Sequence, residues 1–514
     1  MKKIHLNHLG YRPEDAKKAV LTLDVADFQL MRVIDDRVAF KGTTGGAVHH
    51  AASGEDVRLA DFSGFKGKGT FYLQAGDERS YPFAIDDEPY PGLRAALLDF
   101  FHYQKCGVQL DCGAWSHPAC HTSPATVYGT DEKKDVSGGW HDAGDYGRYI
   151  VPAAKAVADL LLAYELAPRP DENVLDVCWF ELEWMLKMQD EATGGVYHKV
   201  SCRLFDPLDE MPENEKEELI LSPISATATA DFAAAMALAA RFYPSEKDKL
   251  LEAAKKAWVW CEKNPDVPGF VNPEDIKTGP YGDKNDKDER FWEACELYAA
   301  TGLGAFHTYI KESEVYTGLG WANVGTYGII AYLRLAAQKP GETDAPLVEK
   351  MKAAVQAECD KVMALYEKDP YGISLGENFG WGSNMIVANN AMLLLLARPY
   401  VSTEKSDIYT SAALAHMHYL LGNNPLSRGY ITGFGPNAVK FPHHRPSVAK
   451  GQAVPGMVAG GPNRNTQQDP ALKEFCEGNA PAKCYIDHKN SYAGNEITIY
   501  WNSPAYFVAA LLGL

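Results

Sequence analysis

The chain has 514 residues, 46% hydrophobic and 23% charged. That is the composition of a soluble globular protein rather than a disordered one, and the length asks for two or three domains, or one small domain beside a large barrel. The formal net charge of −18 is spread along the sequence, which excludes polyanionic partners such as nucleic-acid backbones and acidic membranes and leaves a neutral polymer or small neutral ligand.

The first residues, Met1-Lys-Lys-Ile-His-Leu-Asn-His, pass straight into polar sequence and Gly10. They lack the apolar stretch of a signal peptide, so a cytoplasmic location is expected for the chain as it stands, or secretion if a leader preceded it. No later apolar run reaches the length of a membrane span. Short alternating stretches follow at Ala19-Val-Leu-Thr-Leu, Gln29-Leu-Met-Arg-Val-Ile, Gly69-Thr-Phe-Tyr-Leu-Gln and Tyr81-Pro-Phe-Ala-Ile, separated by Gly, Asp and Ser turns. A period of two with turns every dozen or so residues predicts a small β-sandwich over residues 1–88, with Asp86-Asp-Glu-Pro-Tyr-Pro-Gly as linker.

From Leu93 the period changes to 3.6. Helices are expected at about 92–110, 152–167, 174–190, 223–243, 246–264, 288–310, 320–338, 344–367, 383–398, 404–422 and 500–513, with almost no strand signal between them. No repeat of fixed period is visible, which argues against a solenoid. An Ala-rich segment such as Ala226–Ala240 suits burial on both faces, as in a toroid of paired inner and outer helices. Cys178, Cys261, Cys295 and Cys359 sit singly in helical segments and are expected as buried, reduced thiols.

The residues with chemistry lie in the long loops. Gly138-Gly-Trp-His-Asp-Ala-Gly-Asp145 places Asp142 and Asp145 three apart among glycines, where the backbone can aim both carboxylates at one point. A water held between them would be oriented and deprotonated by one, which is the base side of an inverting glycosidase. Glu496, in Asn495-Glu-Ile-Thr-Ile-Tyr-Trp-Asn, sits among aromatic and aliphatic side chains whose desolvation favours a general acid.

Several motifs in order resemble family 9 of the glycoside hydrolases, the inverting cellulase family. They are Gly139-Trp-His-Asp-Ala-Gly-Asp, Asp288-Glu-Arg-Phe-Trp-Glu-Ala-Cys-Glu, Gly320-Trp-Ala-Asn-Val-Gly-Thr, Trp381-Gly-Ser-Asn, Thr432-Gly-Phe-Gly with His443-His-Arg445, and Tyr485-Ile-Asp through Tyr492 to Glu496 and Asn502. The resemblance implies a mainly α fold: an (α/α)6 barrel over residues 89–514 preceded by an immunoglobulin-like β-sandwich, the latter echoed by Asn7-His-Leu-Gly-Tyr-Arg-Pro. It implies cleavage of β-1,4-glucosidic bonds in cellulose-like glucans or cello-oligosaccharides, with Asp145 as base, Asp142 as the water's second anchor and Glu496 as acid. By the same resemblance His443, Arg445 and Tyr492 contact the sugar.

Cys106, Cys120, His121 and His141 form a two-thiol, two-imidazole set suited to structural zinc. The resemblance strengthens this, since module-bearing members carry a similar set. Cys112 is a rival ligand and a Cys106–Cys120 disulfide a rival reading. Calcium is also implied near Asp283, Asp286, Asp288 and Glu289, but Lys284-Asn285 replaces the family's small Ser-Gly step, and solvated charge is the preferred reading there. The functional alternatives are an exo-acting β-glucosidase or exo-β-glucosaminidase and, in another class, a non-catalytic glycan-binding protein. The acidic loop Asp206–Glu218 bears on cleft shape or amino-sugar binding, with a plain solvated loop preferred.

Overall fold

The computed structural model describes residues 2–514, which group into two compact units. One comprises the chain up to Phe100, Ala167–Arg169 and Cys359–Leu514; the other comprises Phe101–Leu166 and Pro170–Glu358.

The first unit opens with two antiparallel-dominated sheets. Ile4–His5, Lys18–Leu21, Glu55–Asp61 and Val48–His50 form one in that order; Gly10–Tyr11, Phe83–Ile85, Gly69–Ala75, Asp27–Arg32 and Val38–Thr43 form the other. Alternation aims Leu21, Phe28, Leu30, Phe71, Leu73, Phe83 and Ile85 into one core. The strands at 38–43, 48–50 and 55–61 go beyond the expected set, because their mixed burial blurs the period of two.

The Asn7-His-Leu-Gly-Tyr motif joins this sandwich to the helices of its own unit. His8 N–H donates to Leu421 O at 2.9 Å, Tyr11 meets the His418 ring edge-on at 5.0 Å, and the Tyr90 hydroxyl lies 3.0 Å from Gly10 O and 3.2 Å from His418 Nε2. Those helices include Ser383–Ala397, Thr403–Leu420 and Ile499–Leu512, which pack on one another. Ile499–Leu511 is buried on every side.

The second unit alternates two kinds of helix. Ile150–Leu166, Ala226–Ala239, Lys287–Thr301 and Gly325–Gln338 are largely buried all round and touch in sequence. Asn173–Lys187, Lys247–Lys263 and Gly304–Glu312 each bury one face against the preceding inner helix. This is the inner-and-outer pairing that the Ala-rich segment predicts.

Three expectations need correction. The segment expected as one helix at 288–310 is two, broken at Gly302, whose left-handed φ of +68° caps the first. The first barrel helix stops at Tyr103 rather than 110. The second unit is also not strand-free: Lys133–Lys134, Ala125–Val127, Ile220–Leu221, Lys199–Ser201 and Arg148–Tyr149 form a five-stranded sheet in that order. Strands of two or three residues are too short to show a period. Among the described residues no helix is long and apolar enough to cross a membrane.

Candidate active site

The Asp142–Asp145 loop is fixed by buried polar side chains from distant segments. Gln104 Nε2 donates to His141 O at 2.8 Å and Ala143 O at 3.0 Å, and Glu181 accepts the Trp140 N–H at 2.6 Å. Arg148 Nη1 donates to Val136 O and Gly138 O, both at 2.7 Å. Gly139 has a φ of +77°, and a Cβ there would meet the Trp184 ring at 2.5 Å, so only glycine fits.

Within this frame the two aspartates differ. Asp142 is 1% exposed, whereas Asp145 is half-buried with one oxygen accepting the Gly147 N–H at 3.0 Å. The Tyr281 hydroxyl donates to Asp142 Oδ2 at 2.5 Å, and Asp142 Oδ1 has no hydrogen-bond partner in the protein. Burial first, and the Asp145 charge second, push Asp142 well above the usual carboxylate range, against the lowering effect of Tyr281. Burial thus favours the neutral form of Asp142 over its carboxylate.

Tyr281 is a site residue that sequence reasoning missed. It holds a left-handed φ of +41°, imposed by its anchors. His198 Nε2 bonds Pro280 O at 2.8 Å, and Lys199 Nζ donates to Gly279 O at 2.7 Å and Thr278 Oγ1 at 3.0 Å. Burial lowers Lys199 to about 7, while its attraction to Asp145 works the other way. The turn-rich Gly279-Pro-Tyr-Gly282 is the one local signal that marks this residue.

In the first unit Glu496 is held through its backbone. Its carbonyl accepts the Gly460 N–H at 2.9 Å, the His443 N–H bonds Asn495 O at 2.8 Å, and His443 and Glu496 form an isolated parallel bridge. The side chain is half-buried, less desolvated than its apolar neighbours predict. Asn495 takes the Tyr485 hydroxyl and donates to Phe441 O at 2.7 Å. Asp487 accepts the N–H groups of Lys440 and Phe441 and pairs with Arg428 at 3.2 Å, so it braces the segment leading to His443. His443 donates to Lys489 O at 2.7 Å, and burial lowers its pKa to about 4, leaving it neutral. Arg445 is 4% exposed. Tyr492 lies 6.0 Å from the His443 ring and 5.8 Å from Trp381, which is 45% exposed. His443, Tyr492 and Glu496 are thus brought together, beside an aromatic face that suits a sugar ring.

The four predicted metal ligands also converge. Ligand atoms of Cys106, Cys120, His121 and His141 all lie within 4.8 Å of one another, the one such group among the described residues. Cys106 Sγ is 3.9 Å from Cys120 Sγ and 3.6 Å from His121 Nδ1; Cys120 Sγ is 3.9 Å from His141 Nε2. A tetrahedral ion with S bonds of about 2.3 Å and N bonds of about 2.05 Å requires about 3.8 Å between sulfurs and about 3.6 Å from S to N. The set fits. Sulfurs at 3.9 Å are not bonded as a disulfide, all ten cysteines are free, and Cys112 stands outside the group, so both rivals fail. Cys178, Cys261, Cys295 and Cys359 are buried thiols, as expected.

The acidic segment near 283–289 departs from expectation. Asp288 and Glu289 are 4% and 0% exposed rather than solvated, and Asp286 leaves the group to pair with Arg290 at 2.9 Å. Asp231, fully buried in the Ala-rich helix, takes its place. Both oxygens of Asp231, both of Glu289 and Oδ2 of Asp283 are buried without a partner. Burial and mutual repulsion raise Asp231 and Glu289 well above the usual range.

Comparison with known proteins agrees with this geometry. The family profile "Glycosyl hydrolase family 9" matches residues 90–509, and "Cellulase N-terminal ig-like domain" matches residues 1–80. A cellodextrinase from Butyrivibrio fibrisolvens is 35% identical over the whole of both chains. The crystal structure of a thermostable endoglucanase from Alicyclobacillus acidocaldarius superposes with a TM-score of 0.92 at 40% identity, covering 100% of each chain. A Zn-binding triple mutant of the family 9 endoglucanase J30 superposes with a TM-score of 0.89 at 30% identity, covering 98% of this chain and 99% of that one. The fold class is that of these relatives, an (α/α)6 barrel with an immunoglobulin-like β-sandwich before it. The chain belongs to glycosyl hydrolase family 9.

Proposed function

We propose that the enzyme hydrolyses β-1,4-glucosidic bonds of cellulose-like glucans and cello-oligosaccharides in one inverting displacement. The observation that carries this reading is the division within the aspartate pair: a buried Asp142 held by the Tyr281 hydroxyl beside a more exposed Asp145. Asp145 takes the proton of the attacking water while Asp142 orients it, and Glu496 gives a proton to the departing glycosidic oxygen. Neutral His443 and cationic Arg445 hold sugar hydroxyls, and Tyr492 presents its ring beside the scissile bond. Internal cutting is the first reading. The full-length likeness to a cellodextrinase favours, as second reading, release of short products from soluble oligosaccharides.

The Cys106, Cys120, His121 and His141 set holds zinc in a structural role, since four protein ligands leave no open position for chemistry. By backbone continuity His141 ties that centre to Asp142. A second ion, calcium, would draw on Asp231, Asp283 and Glu289, whose buried oxygens lack protein partners but are not drawn as closely together as the zinc set.

Product analysis on cello-oligosaccharides and chitosan-oligosaccharides tests the substrate. Cleavage of the glucose series alone, lost in Glu496→Gln by at least about a hundredfold, is the expected result. An unchanged rate in that variant refutes the acid assignment, and preference for the amino-sugar series refutes the substrate.

A further inference from the structure

The acidic stretch between Cys202 and Leu219 is expected from sequence as solvated charge, yet one of its carboxylates is drawn inward. The Glu215 side chain is 6% exposed and lies 2.5 Å from His121 Nε2, whose own ring is 3% exposed. His121 needs such a brace, because its backbone sits at a left-handed φ of +49° that a histidine adopts at a cost. A second fastening holds the same loop: the Tyr146 hydroxyl donates to Glu210 O at 2.6 Å. Tyr146 follows Asp145 in sequence, and its ring packs 4.9 Å from His141 and 5.6 Å from His121.

The chemistry of this contact is directional. A carboxylate on Nε2 draws the ring proton to that nitrogen, so the Nδ1 lone pair faces the ion, and it raises the basicity of the ligand. Nδ1 is the atom 3.6 Å from Cys106 Sγ. We propose that Glu215 is the outer-sphere positioning residue of the Cys106, Cys120, His121 and His141 centre. Through it the bound ion holds the acidic loop of residues 206–218 beside the catalytic aspartates. The inference rests on the metal reading above. It gives the acidic loop a function, in which loop order and metal occupancy are one equilibrium seen from two ends.

The test uses the full-length protein, stripped with a chelator and refilled with zinc chloride, as wild type, Glu215→Gln and Glu215→Ala. Zinc affinity is read by competition with a chromogenic chelator, and loop order by the rate of tryptic cleavage after Lys216. Glu215→Ala is expected to bind zinc about 10- to 100-fold more weakly, with Glu215→Gln between it and wild type. In wild type, cleavage after Lys216 is expected to be at least about tenfold faster without zinc than with it, on the same linkage between ion and local order. That comparison needs no variant to fold. Wild type that binds no zinc overturns the metal reading and this one together. Wild type that binds zinc, with affinity unchanged in Glu215→Ala and cleavage indifferent to zinc, overturns this inference alone.

Discussion

Replacing Tyr281 by Phe removes one oxygen and leaves the rest of the site standing. The ring keeps its edge contacts with Tyr149 at 4.9 Å and Trp321 at 5.2 Å, and the backbone keeps its anchors on His198 and Lys199. What is lost is the hydrogen bond to Asp142 Oδ2, on a carboxyl whose other oxygen already lacks a protein partner. An unsatisfied buried acceptor costs about 1–3 kcal/mol. If that is spent on positioning the water, kcat falls by about 5- to 150-fold. Because the tyrosine hydroxyl is the group that lowers Asp142, its loss also drives that carboxyl further up. KM should change little, since the interaction acts on the water rather than on the sugar. The assay is kcat and KM on cellotetraose, with a melting curve to show the variant folded. A folded Tyr281→Phe enzyme with kcat within about twofold of wild type refutes the division of labour between Asp142 and Asp145.

Two other perturbations follow from the buried charges. After treatment with EGTA, adding calcium should raise the Tm of wild type, by about 2.7 kcal/mol of stabilisation at a hundredfold excess over Kd. Asp231→Asn should not respond, and a wild-type Tm indifferent to calcium contradicts the second ion. His418, lowered to about 3 chiefly by burial, is neutral when folded but protonates near 6.5 when unfolded. Its contribution is therefore complete above about pH 6.5 and is lost as pH falls toward the folded value, at about 1.4 kcal/mol per pH unit. The stability gap between wild type and His418→Gln in urea titrations should narrow from pH 7 to pH 5; a gap independent of pH contradicts the neutral, buried histidine.

The sequence exposes patterns that are local and leaves contacts that are not. The Ala226–Ala239 helix and the alternating strands of the sandwich follow from periodicity, and the break at Gly302 follows from a left-handed cap that a single glycine announces only once its φ is known. The Asp142–Asp145 loop is legible because its glycines and aromatics are contiguous. Its supports are not: Gln104, Arg148, Lys199 and Tyr281 converge from segments up to 177 residues apart, from Gln104 to Tyr281. Glu181 left one trace, a carboxylate in the apolar stripe of Val174, Cys178, Leu182 and Met185 that has no business there unless it is bonded. The Cys106, Cys120, His121 and His141 set was readable by residue type, but Glu215, which meets His121, was masked by the exposed acids around it. The solvated reading of Asp288 and Glu289 failed because charge in a sequence says nothing of burial, and Asp231 sat unnoticed in the Ala-rich helix.

The central claim is that hydrolysis runs as one inverting displacement, without a covalent intermediate. Proton NMR of the first sugar released from cellotetraose, recorded before mutarotation, addresses this directly. The account predicts that the new reducing end appears first as the α-anomer. A β-anomer appearing first contradicts it.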